Sequence, residues 1–157
     1  MSAAHAISAS SAAERATALL EKLDRAHDGL DAALSAMEMM TSRSAPDPAN
    51  YPLVRWQLSK ASGHRRATAN EIISELLTIV DSLSAAKLQR LRADDAALLR
   101  RSAAHIHRWT MAGIARDWLG YRLASVQMRG WLRRNGAAEL AALRPVLEAL
   151  ARSPRGE

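Results

Sequence analysis

Apolar residues recur along this chain at three- and four-residue steps in four separate stretches, the spacing of one buried face of an α-helix. The first stretch covers about 13–42, with Leu19, Leu23, Leu30, Leu34 and Met37 on one stripe. It stops in SRSAPDPANYP, where Pro46, Pro48 and Pro52 forbid helix continuation. Asn50 then offers an N-cap, and Pro52 suits the first turn of a second helix over about 52–83. That helix carries Leu53, Trp56, Ile72, Leu76, Ile79 and Leu83. A break at DSLSAA, with Ser84 as cap, starts a third helix over 85–118 that holds Leu88, Leu91, Leu98, Ile106 and Trp109. The fourth covers 121–150, with Ala124, Met128, Leu132, Leu143, Val146 and Leu150, so the last turn falls between Gly113 and Gly120. Long helices with short connections predict an all-α fold, an antiparallel up-down four-helix bundle. It forms one domain over 13–151, with flexible tails at 1–12 and 152–157.

Several polar residues interrupt the apolar stripes. His27 lies between Leu23 and Leu30, and His64 precedes Thr68, Ile72 and Leu76 at helical steps. His105 borders the stripe of Leu98 and Trp109. Asn135 and Glu139 continue the series Ala124, Met128, Leu132 towards Leu143. Residues on successive antiparallel helices are level when the turn falls midway between them. The midpoint of His27 and His64 lies in SAPDP, that of His64 and His105 in SLSAA, and that of His105 and Asn135 at Gly120. One polar layer across the bundle is therefore expected.

Composition narrows the chemistry. The chain has 157 residues, no Cys and no Phe, which excludes disulfides, thiolate metal sites and cysteine nucleophiles. No window is apolar enough for a membrane span, and MSAAHAISASSAAER lacks a basic segment followed by a hydrophobic core, so a cytoplasmic location is expected. The net charge of +6 is uneven: residues 1–50 carry −3, residues 51–99 carry +2, and residues 100–157 carry +7. The late arginines are scattered rather than blocked, which fits a solvated face better than a nucleic-acid footprint. Trp109, Trp118, Tyr121 and Trp131 gather near the third turn and are expected to plug the core there.

The run Arg134, Asn135, Glu139, Leu143, Pro145, Leu147, together with His27 in DRAHDGL, His64 and His105, resembles the hemerythrin-like (HHE cation-binding) bundles. That resemblance implies a core metal site built from His27, His64, His105 and Glu139. Thr68 and Asn135 would occupy the positions of a missing carboxylate and a missing His. With two ligands lost, an oxygen carrier is not expected. The residual set implies either no cofactor or one divalent ion, Fe or Zn. The alternative is a metal-free layer whose members satisfy one another, with Glu139 taking His105 or an Arg as its partner.

Two function classes follow. The first is a binding or sensing domain that holds an ion or small ligand in the bundle core. The second is a metal-free helical interaction protein that docks an acidic partner or nucleic acid through an Arg-rich face of the third and fourth helices, with Arg129, Arg133 and Arg134; a protein partner or a second copy of the chain is favoured over nucleic acid. No nucleophile–base pair can be named, so an enzyme is not expected.

Overall fold

The computed structural model describes residues 3–152, with side chains over 11–152. The described residues form five helices and no strand: α1 (Ala3–Thr41), α2 (Tyr51–Leu76), α3 (Ser82–Arg108), α4 (Met111–Arg116) and α5 (Trp118–Ala151). The all-α expectation holds, but the boundaries move. α1 is helical from Ala3, inside the tail expected at 1–12, whereas residues 1–2 and most of the tail at 152–157 lie outside the described residues. α2 stops at Leu76 rather than near 83, and the third helix stops at Arg108, with a short additional helix, α4, before α5.

Each boundary has a local cause. In the Pro-rich loop, the Asp47 carboxylate accepts from the backbone amides of Ala49 and Asn50 and pairs with Arg43 at 2.6 Å. Asn50 does stand at the N-cap of α2, but its amide side chain bonds Asp47 at 3.0 Å and caps nothing. The cap of α3 is Asp81, not Ser84: its carboxylate accepts from the Ser84 amide at 2.7 Å. Two further caps cut the long third helix. Thr110 accepts from the Gly113 amide at 3.1 Å and Asp117 from the Gly120 amide at 2.8 Å. Gly120 thus lies in the first turn of α5, not in the connection, and a Cβ there would collide with the Asp117 carboxylate.

The core has three apolar segments along the bundle. Leu19, Leu23, Ile72, Ile73, Leu88, Leu91, Leu143 and Leu147 fill one end. Leu30, Leu34, Leu98, Met128 and Leu132 fill the middle. Met37, Met40, Tyr51, Ile114 and Tyr121 fill the other end. Each fully buried Leu or Ile contributes roughly 1.5–3 kcal/mol. As expected from their clustering, Trp109 and Trp118 pack on Tyr121, with ring centroids 5.6 and 5.9 Å apart. Trp131 packs against the middle segment and carries the Arg101 guanidinium 4.6 Å from its ring.

Five apolar residues expected on buried stripes are exposed. Ile79 and Leu83 fall beyond the end of α2, while Leu53 and Trp56 lie in its first turns, Trp56 being 57% exposed. Ile106 points to solvent near the end of α3. α1 packs mainly on α2 and α5, and α3 on α5 and α2. Polar contacts join opposite ends of neighbouring helices: Arg15 of α1 pairs with Glu75 of α2, and Arg55 of α2 donates to the Ile106 carbonyl of α3 at 3.1 Å.

Candidate functional site

A polar layer does cross the molecule, between the first and middle apolar segments, but its membership differs from the expected one. At its centre is Arg65, 1% exposed. One guanidinium nitrogen donates to Glu139 Oε2, and the other donates to Asp95 Oδ1 at 2.5 Å. The second Glu139 oxygen faces His27 Nε2 at 2.8 Å. A carboxylate oxygen only accepts, so in this pair the imidazole nitrogen donates. The four residues come from α1, α2, α3 and α5, one from each long helix.

The layer corrects the candidate ligand set. His27 and Glu139 meet as expected, but His64 is exposed and His105 sits elsewhere, with its ring 5.8 Å from that of Tyr121. Counting back from Thr68, a four-residue step reaches His64 and a three-residue step reaches Arg65; the helix takes the second. Asp95 takes the place assigned to His105. On α5, Gly136 takes the inward position assigned to Asn135, and a Cβ on it would lie 3.5 Å from the His27 ring. Asn135 is half-buried on the flank, with its side-chain oxygen enclosed and without a partner, and Thr68 is buried on α2.

These residues do not fit the metal that the resemblance implies. The two carboxylates are already bridged by a fixed cation, and a metal ion would have to expel Arg65 from both. Among the described residues no three His, Asp or Glu side chains converge as a ligand group.

A cavity of about 270 Å³ opens between the middle segment and the aromatic end. Met37, Leu58, Leu99, Tyr121, Met128 and Leu132 supply its apolar walls; Arg55, Arg66, His105, Ser59, Ser62 and Arg129 supply polar groups. Arg129 corrects a second expectation. Rather than lying on a docking face, it is only 4% exposed, and its Nη1 donates to Thr41 at 3.0 Å and Ser125 at 2.6 Å. Its Nε is buried with no partner. Burial lowers its pKa from the usual guanidinium value, opposed by the nearby Glu38 carboxylate. Glu38 itself is bound by Arg133 at 2.6 Å, which holds its pKa below the usual carboxylate range. Arg133 and Arg134 do lie exposed. In the cavity wall, burial pushes the His105 pKa down to about 4, helped by the positive charge of Arg55.

A second cavity, of about 380 Å³, lies at the opposite end beside Leu19, Leu147 and Leu150. Its guanidinium, Arg15, is already neutralised by Glu71 and Glu75. The uncompensated charge therefore singles out the smaller cavity.

Nothing in the sequence distinguishes Arg65 or Arg129 from the chain's other arginines. The signal for Arg65 was indirect: Glu139, inward on an apolar stripe, required a cation. For Arg129 the only signal was its spacing of four from Ser125 on an otherwise apolar stripe. No family model, no curated protein and no solved structure matches this chain. No described helix is long and apolar enough to cross a membrane.

Proposed function

We propose that the four long helices form an antiparallel up-down bundle that serves as a non-catalytic binding domain, receiving a small ligand in the cavity between α2, α3 and α5. The contact of Arg15 with Glu75, and the pairs Arg144–Asp24 and Arg133–Glu38, which run in opposite senses along α1 and α5, support the alternating helix directions. The observation that carries the binding reading is the cavity: mostly apolar walls from separate helices, with a few convergent polar groups, form the usual architecture of a small-molecule site. Its volume of about 270 Å³ lies just below the range of such sites, typically ~300–1,000 Å³, so the ligand is small. The bundle keeps the hemerythrin-like idea of function in the core, but moves it from the polar layer, closed by Arg65, to the neighbouring cavity.

The test is titration with the neutral fluorophore N-phenyl-1-naphthylamine. Saturable enhancement at one site per chain, lost in Ala103→Trp, which fills the cavity from an exposed wall position, is the expected result. Equal enhancement in both proteins would place the dye elsewhere and end this reading.

A further inference from the structure

We propose that the cavity is selective for a monocarboxylate with a compact apolar body, whose carboxylate seats on Arg129. The proposal rests on the binding reading above and adds the chemical class of the ligand. Its basis is the imbalance at Arg129. A guanidinium carries five N–H donors; here one nitrogen is spent on the two hydroxyls of Thr41 and Ser125. Arg65 shares the enclosed, unpartnered Nε but holds two carboxylates, whereas Arg129 holds none among the described residues. Among the described residues no carboxylate lies within ion-pair distance of it, although its side chain lines the cavity.

A buried cation without a counter-ion is costly. The protein satisfies the same requirement at Arg65 with two carboxylates. Glu38 is the nearby acid, and Arg133 holds it at the surface. The missing anion at Arg129 is thus one the cavity can admit from outside. The Arg fork matches a carboxylate's two oxygens, and the bond gains strength where water is excluded.

Charge and shape select among anions. Of the three guanidinium groups in the lining only Arg129 is buried, Arg55 and Arg66 being half-exposed to water, so the one charge that needs an anion is met by a monocarboxylate. His105, in the same wall, is kept neutral at ordinary pH, so it adds no second buried charge. The walls of Met37, Leu58, Leu99, Met128 and Leu132 then ask for an aliphatic or single-ring body.

The experiment compares octanoate with octanamide, which has the same heavy-atom count and no charge. Each is titrated by displacement of N-phenyl-1-naphthylamine and by calorimetry, in the parent protein and in Arg129→Met. Octanoate should bind the parent at least about tenfold more tightly than octanamide, and the preference should vanish in Arg129→Met while the dye still binds. Equal affinities in the parent, or a carboxylate preference that survives in Arg129→Met, would overturn the proposal even with the cavity reading intact. Failure of the dye and both ligands to bind the parent would instead remove the cavity reading, and this proposal with it.

Discussion

Arg65 and Arg129 are both withdrawn from water, at 1% and 4% exposure, but only one of them is neutralised inside the protein. Arg65 holds Glu139 and Asp95 and, through Glu139, His27, tying the four long helices together in a closed layer. Arg129 has two hydroxyls and an open cavity. The difference separates structure from function in one fold. A buried charge whose partners are internal serves the folded state, because removing either side leaves the other unpaired. A buried charge without internal partners makes the folded state less stable than it could be, and an external ligand is one way to recover the difference.

The sharpest way to break this comparison is at Arg65. Replacing it with Met leaves two enclosed carboxylates without their shared cation and should destabilise the protein by about 3–5 kcal/mol in urea unfolding. Converting the whole layer, Arg65→Met with Glu139→Met, Asp95→Leu and His27→Leu, should recover most of that loss, because volume is kept and no charge is left stranded. A loss below about 1 kcal/mol for the single variant would mean that the layer is not the lock described here.

A second, intermediate effect concerns His105, in the wall of the Arg129 cavity. Its folded pKa of about 4 lies below the ordinary 6.5, so protons bind the unfolded chain more readily. The contribution from this group is fully present above about pH 6.5 and is lost as pH falls towards about 4. His105→Gln should flatten the stability profile in that window relative to the parent. Superimposable profiles would show that the cavity wall does not shield the imidazole.

The smallest effect is expected at Arg129 itself. Arg129→Met loses the bonds to Thr41 and Ser125 but also removes a desolvated cation, so stability without ligand should change by no more than about 1 kcal/mol. A loss as large as that of Arg65→Met would make the two arginines equivalent and dissolve the contrast between them.

Much of the helical architecture was legible along the chain. The stripe Leu19, Leu23, Leu30, Leu34, Met37 is the buried face of α1, and Pro46 and Pro48 mark the first loop, because helix periodicity and missing amide donors act over a few residues. His27 and Glu139 were placed correctly for the same reason, as polar residues flanked by apolar ones at helical steps. The errors share a different origin. Both a three- and a four-residue step keep a side chain on one helix face, so His64 and Arg65 are equally consistent with the stripe of α2. The usual preference of Arg for solvent then favours the wrong one. The end of α3 was also misplaced, because Thr110 and Asp117 are ordinary helix-surface residues until their side chains turn to cap a new N-terminus.

By itself the sequence determined that the chain is helical, roughly where its long helices lie, and that one inward acid on the last helix needs a cation. Those properties follow from periodicity, propensity and the cost of burying an unpaired charge. Only the tertiary structure decided which cation answers that acid, that Asp95 rather than His105 completes the layer, and that Arg129 is left facing a cavity. The reason is that pairing between helices depends on their rotation and relative height. A one-residue change in the step along α2 exchanges His64 for Arg65 without altering the pattern of apolar positions.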